Sequence, residues 1–188
     1  MANRKVEITL TIETLRALAE QGDVEGQFRL AEKLENGQGV TKDEAEAAIW
    51  YKKAAEQGLI EAQLNLADMY TEGRGVERND PEAVHWYRKA AEQGDPDGQF
   101  ELAMMYVLGQ GLDKDDSLAV HWFHKAAEQG HVDAQFNLAF MYEEGQGVDE
   151  NKEESRLWYG KAAEQGDEEA QKKLGIYTAP PKSKKKRK

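Results

Sequence analysis

The chain has 188 residues, 39% hydrophobic and 32% charged, with a formal net charge of −11 and no cysteine. That length allows one ordinary domain or one short array of repeats, and the apolar content is enough for a core, which excludes a wholly disordered chain. Without cysteine there is no disulfide framework, thiolate metal site or thiol nucleophile, and no apolar run approaches the roughly 20 residues of a membrane-spanning helix.

The first residues, MANRKVEITLTIETL, hold no continuous apolar stretch and no small-residue cleavage site. They do not read as a signal peptide, so a cytoplasmic protein is expected, with nuclear entry open to it in a eukaryotic host. Ile12, Leu15, Leu18 and Ala19 fall at helical spacing from about Thr11 to Gln21, with Thr9 or Thr11 as the cap. Residues 1–21 therefore read as an N-terminal segment with a capping helix.

The sequence AAEQG then recurs at Ala54, Ala90, Ala126 and Ala162, always 36 residues apart, with a degenerate LAEQG at Leu18. A fixed period of this length predicts a solenoid whose repeats stack on their neighbours. Four repeats follow, at 22–57, 58–93, 94–129 and 130–165, each reading as helix, turn, helix. In the third, Asp95 caps the first helix and Pro96 opens it. That helix stops at Gly109-Gln110-Gly111, and the second runs from about Asp116 to Gln129. The glycine pairs Gly37/Gly39, Gly73/Gly75, Gly109/Gly111 and Gly145/Gly147 suit a left-handed helix end followed by a close backbone approach. A phosphate-cradling loop would need a preceding strand and a longer glycine pattern, and both are missing.

The second helices start at Asp43, Asn79, Asp115 and Asn151. Glu46, Glu82 and Glu154 lie three residues on, which predicts reciprocal capping rather than a catalytic or calcium-binding acid pair. Core positions recur as well. Phe28, Leu64, Phe100 and Phe136 share one site of the first helix, and Trp50, Trp86, Trp122 and Trp158 share one site of the second. At four equivalent positions such aromatics fill the stack rather than form a ligand platform. His85, His121, His124 and His131 lack an adjacent nucleophile or a repeated carboxylate partner, so they read as surface or core-edge residues.

From Gly166 a fifth first helix begins and runs from Asp167 to about Ile176, with Lys172 where earlier repeats carry Phe or Leu. Residues 166–178 read as a C-terminal cap whose outer face meets water. Pro180-Pro181 then breaks helicity and opens a basic tail, 179–188, expected to be disordered. Lys182, Lys184, Lys185, Lys186, Arg187 and Lys188 carry six positive charges, so residues 1–181 carry −17. Such a body repels nucleic acid and anionic lipid, and only the tail is suited to a polyanion or to a nuclear import receptor.

Ala62-Gln63, Leu66, Tyr70, Gly73-x-Gly75-Val76, Ala83, Trp86-Tyr87, Lys89-Ala90-Ala91 and Gly94 together resemble the Sel1-like repeat, a tetratricopeptide-like α/α solenoid. The resemblance runs from about Leu18 to Leu174. Leu34 departs from the tyrosine of the other repeats, and Gly26 and Gly98 depart from the alanine of Ala62 and Ala134. It implies an all-α, right-handed superhelix with the first helix of each repeat on the concave face, and an adaptor or scaffold role. The β-lactam binding linked to a cysteine-rich bacterial branch does not carry over to a chain without cysteine. By the family's geometry the concave positions are Arg29, Glu32 and Lys33 in repeat 1. They continue as Asn65, Asp68, Met69 and Glu72; then Glu101, Met104, Met105 and Leu108; then Asn137, Phe140, Met141 and Glu144. Methionine adapts to varied partners, Phe140 suits an anchor, and Asn65 and Asn137 suit an extended peptide's backbone. The expectation is a monomeric, non-enzymatic scaffold without cofactor, binding a protein or peptide segment in that groove. The rival reading is a nuclear-targeted or nucleic-acid-associated protein acting through the tail.

Overall fold

The computed structural model describes residues 11–177. Among them are ten α-helices and no strand: α1 Ile12–Glu20, α2 Val24–Asn36, α3 Glu44–Glu56, α4 Ile60–Glu72, α5 Asp80–Glu92, α6 Pro96–Leu108, α7 Asp116–Glu128, α8 Val132–Glu144, α9 Lys152–Glu164 and α10 Glu168–Lys173. This is the all-α solenoid of helix-turn-helix repeats that the 36-residue period predicts. The even-numbered helices are called A and the odd-numbered ones B. The chain divides into two compact units after Lys114, so α1–α6 form one unit and α7–α10 the other. Within each unit every helix packs on the next one in sequence.

Side-chain caps start nearly every helix. Thr11, Asp23, Asp43, Asn79, Asp95, Asp115, Asn151 and Asp167 each accept a backbone N–H from the first turn, and His131 does so through Nδ1 at 3.1 Å. The reciprocal half of the expected capping box does not form. The cap residues' own N–H groups donate instead to the end of the preceding A helix: Asp43 to Leu34 O, Asn79 to Tyr70 O and Asn151 to Tyr142 O, each at 2.9 Å. A tertiary bond has taken the donor that Glu46 was expected to meet. Glu46 turns to Arg16 and to Trp50 Nε1. Leu59, at the position of Asp23, Asp95 and Asp167, makes no cap bond. Leu59→Asp is therefore expected to raise the unfolding free energy by about 1 kcal/mol, read as a higher urea midpoint at unchanged slope.

The A helices α2, α4, α6 and α8 end on glycine in the left-handed region, with φ of 67°, 71°, 66° and 66° at Gly37, Gly73, Gly109 and Gly145. In three of the four loops the second glycine serves the predicted close approach, and its target is the amino end of the preceding repeat's B helix, whereas a Cβ at Gly39 would meet nothing within 4 Å. A Cβ at Gly75 would lie 2.2 Å from Glu44 O, and one at Gly111 2.4 Å from Asp80 O. In the second unit, a Cβ at Gly147 would lie 2.2 Å from Asp116 O. The last A helix is shorter than expected. α10 stops at Lys173 because Gly175, at φ 71°, turns the chain out of the helix before Ile176.

In both units the core is built from tryptophan, tyrosine and alanine. Trp50, Trp86 and Trp158 are buried, as are Tyr51, Tyr87, Phe123 and Tyr159, and Ala54, Ala90, Ala126 and Ala162 are sealed off. The lysine three residues after each tryptophan lies over its ring, with Nζ at 3.8, 5.7, 4.6 and 3.6 Å from the centroid for Lys53, Lys89, Lys125 and Lys161. That ammonium adds a cation–π attraction while its stem shields the ring. A buried glutamine ties each A helix to the B helix before it. Gln27, Gln63, Gln99 and Gln135 donate Nε2 to Ala19 O, Ala55 O, Ala91 O and Ala127 O at 3.2, 3.1, 3.3 and 3.0 Å. Gln57, Gln93 and Gln165, from the AAEQG motif, then donate to the Oε1 of Gln27, Gln63 and Gln135. Each relay satisfies a buried amide and a helix-end carbonyl together, which the interior requires.

Candidate functional site

The buried glutamine, leucine and alanine positions fix which side of each A helix points outward. In the first unit the outward stripe is Glu25, Arg29, Glu32 and Asn36 on α2; Glu61, Asn65, Asp68 and Glu72 on α4; and Asp97, Glu101, Met104 and Leu108 on α6. In the second unit it is Asp133, Asn137, Phe140 and Glu144 on α8. Spacings of three and four residues keep each set on one face. These positions are charged or amide on α2 and α4, whereas α6 carries Met104 and Leu108 and α8 carries Phe140. Leu108 is 57% exposed, in a column where the other repeats carry Asn36, Glu72 and Glu144.

Met69, Met105 and Met141 do not belong to this surface. They sit one residue past the stripe, about 100° around the helix, and are 0%, 5% and 2% exposed. They fill the space between helices, which removes them from any groove. Asn137 also differs from expectation. Its Nδ2 donates to Asp133 O at 2.8 Å, back onto its own helix, rather than standing ready for a partner's backbone.

Several outward residues are held by the protein itself. Arg29 bridges Glu25 and Glu32. Asp68 accepts the Tyr87 hydroxyl at 2.6 Å, and burial pushes the Asp68 carboxyl above the usual carboxylate range while that bond pulls it back. Tyr51 donates to Glu35 at 2.7 Å, and Arg74, between the two glycines of its loop, binds both Glu35 and Glu72. Tyr159 donates to Glu143 at 2.8 Å, and Lys173 Nζ binds the same oxygen at 2.6 Å. The Lys173 bond, more than the Tyr159 bond, holds the Glu143 carboxyl below its ordinary value. Lys173 Nζ also lies 5.6 Å from the ring centroids of Phe140 and Tyr159.

The sequence reading overlooked these tyrosine–acid pairs and the glutamine relay. Their signal was present: Glu35–Tyr51 and Glu143–Tyr159 share a 16-residue separation, and glutamine recurs at one position of every A helix.

No group of three or more His, Asp or Glu side chains among the described residues is placed to hold a metal ion. His85 and His121 lie edge-on to Trp86 and Trp122, His124 packs on Trp158 with Nδ1 3.5 Å from Glu128, and His131 caps α8. Among the described residues no helix is long and apolar enough to cross a membrane. The basic run at Lys182, Lys184, Lys185, Lys186, Arg187 and Lys188 lies outside the described residues.

The Sel1 repeat family model matches residues 24–59, 60–95, 96–131 and 132–167, each segment opening on the first residue of an A helix. Among solved structures, a Sel1 repeat protein from Oxalobacter formigenes is 36% identical, with a TM-score of 0.77 over 89% of this chain and 67% of that one. A protective antigen of uropathogenic Escherichia coli strains with the same repeat fold is also 36% identical, with a TM-score of 0.62 over 87% of this chain and 43% of that one. Cysteine-rich protein B of Helicobacter pylori is 26% identical, with a TM-score of 0.56 over 74% of this chain and 98% of that one. The chain thus spans about two thirds of the first structure and less than half of the second. No curated protein matches it.

Proposed function

Because the chain belongs to the Sel1 repeat family, whose arrays are typically non-enzymatic protein-interaction scaffolds, we propose that it binds a segment of a partner protein along the outward stripe of its A helices. The observation that carries this is the change in that stripe. Positions that are charged or amide on α2 and α4 become Met104 and Leu108 on α6, and Phe140 on α8. Side chains needed for stacking recur in every repeat, whereas these differ from repeat to repeat. On α6 Met104 and Leu108 share a face with Asp97 and Glu101, and on α8 Phe140 shares a face with Asp133 and Glu144, so each fits an interface with an apolar centre and a polar rim. The acidic rim favours a partner segment carrying an apolar anchor flanked by Lys or Arg.

The test replaces Met104, Leu108 and Phe140 with serine and uses both proteins as baits in lysate of the native host. A partner should be captured by the natural protein and lost by the variant, with helicity and melting temperature nearly unchanged. Capture should survive added salt, because apolar contact is not screened. Met105→Ala is the inward control. It should lower the unfolding free energy by about 2–3 kcal/mol, since it empties a packed site. Capture that is indifferent to the three serine substitutions would place the working surface elsewhere, for instance on the B helices.

A further inference from the structure

Where the first two B helices meet, the crossing is closed by an arginine from within the chain. Arg16 of α1 makes a two-point pair with Glu46 of α3, Nη1 to Oε1 at 2.5 Å and Nη2 to Oε2 at 3.3 Å. The same Glu46 Oε1 accepts Trp50 Nε1 at 3.2 Å. The Glu46 bond pushes the Arg16 guanidinium above its ordinary value, and the charge of Glu20 adds a smaller push. Lys53 lies over the Trp50 ring at the same time. An indole edge thus steadies a carboxylate, and the carboxylate seats a guanidinium.

One period of 36 residues later, every part of this arrangement recurs except the arginine. Glu56, Glu82, Trp86 and Lys89 stand at the positions of Glu20, Glu46, Trp50 and Lys53, and Lys52 stands at that of Arg16. These five residues and His85 line a cleft of about 380 Å³ on α3 and α5, within the first unit. Lys52, Glu56 and Glu82 are exposed, and none of them makes a side-chain ion pair among the described residues. Trp86 is 4% exposed, and its Nε1 is buried without an acceptor. Leaving a buried N–H unpaired is costly. Lysine does not replace arginine here, because an ammonium is a point charge and cannot form the planar two-point pair. In the second unit the arginine position holds His124. Trp158 Nε1 lacks an acceptor there too, but the His124 ring lies 5.4 Å from that of Trp158, with Nδ1 3.5 Å from Glu128, and occupies the place of the guanidinium.

We propose that the cleft on α3 and α5 binds an arginine side chain of a partner protein. The guanidinium takes the place that Arg16 has in the first crossing, paired with Glu82 and flanked by Glu56. Glu82, drawn onto the indole edge, then accepts Trp86 Nε1. Lys52 swings into solvent, and Lys89 stays over the ring as Lys53 does. The acidic body favours the approach of a cationic segment. The contact lies on B helices, so its failure would leave the reading of the A-helix stripe untouched.

The probe is the capped tripeptide acetyl-Gly-Arg-Gly-amide, titrated into the isotope-labelled full chain and read at the tryptophan indole N–H resonances, with Trp86→Phe identifying the Trp86 signal. A saturable downfield shift of the Trp86 indole is expected at millimolar peptide, while the Trp50 indole, already bonded, stays in place. Lysine or citrulline in place of the peptide's arginine should weaken binding at least about tenfold, because neither forms a charged two-point pair. Glu82→Gln should weaken it by a similar factor. Lys52→Arg should close the cleft from within, so that the Trp86 indole sits at its shifted position without peptide and no longer responds to it. No movement of the Trp86 indole at tens of millimolar peptide would overturn the proposal. So would equal binding of the lysine or citrulline peptide, or binding unchanged by Glu82→Gln or by Lys52→Arg.

Discussion

Trp86→Ala is expected to lower the unfolding free energy by about 3–5 kcal/mol, the usual cost of emptying a large aromatic site in a packed core. Trp86 is 4% exposed on α5, and its ring faces Lys89 and His85. Urea unfolding followed by far-ultraviolet circular dichroism measures the loss, and a change below about 1 kcal/mol would place Trp86 outside the core. A second substitution separates packing from hydrogen bonding. Trp86 Nε1 is buried without a partner, whereas Trp50 Nε1 donates to Glu46 at 3.2 Å. Trp86→Phe should therefore cost less than Trp50→Phe, because only the latter breaks a bond that is already made.

Gly75→Ala is expected to be comparably severe, at about 3–5 kcal/mol. Part of that is the strain of a side chain in the left-handed region, about 1–2 kcal/mol. The larger part is steric, since the new Cβ would lie 2.2 Å from Glu44 O, on helix backbone that cannot rotate aside. Gly58→Ala is the internal control. Gly58 has φ 96°, but a Cβ there meets nothing within 4 Å, so only the conformational cost of about 1–2 kcal/mol should appear. Equal losses at the two sites would mean that the loop does not press on α3. Thermal unfolding of the two variants side by side decides it.

The parts legible in the sequence are those that repeat. AAEQG, the tryptophans and the glycine pairs recur at one spacing, so helix, turn and stacking order follow from periodicity and known turn chemistry alone. Residues whose roles depend on facing direction were harder to read. Met104 and Met105 are adjacent and chemically identical, yet one faces outward and the other packs inside, a difference of one helical step. The capping acids were misread for a related reason. Glu46 has the spacing of a reciprocal cap, but Leu34 O satisfies the Asp43 N–H first, and that carbonyl belongs to another helix. Local rules do not see a competitor brought in by tertiary packing.

The backward reach of the loops at Gly75, Gly111 and Gly147 gives the array a direction in time as well as in space. Glu44 begins α3, yet the glycine that covers it comes 31 residues later. During synthesis, a repeat whose helices have already formed stays unfinished at one end until the next has left the ribosome. Completion of the array therefore lags elongation by nearly one full repeat, and premature termination leaves the last finished pair of helices without its cover. Loss of a leading repeat uncovers no later helix start, because each of these three loops lands on the repeat that was made before it.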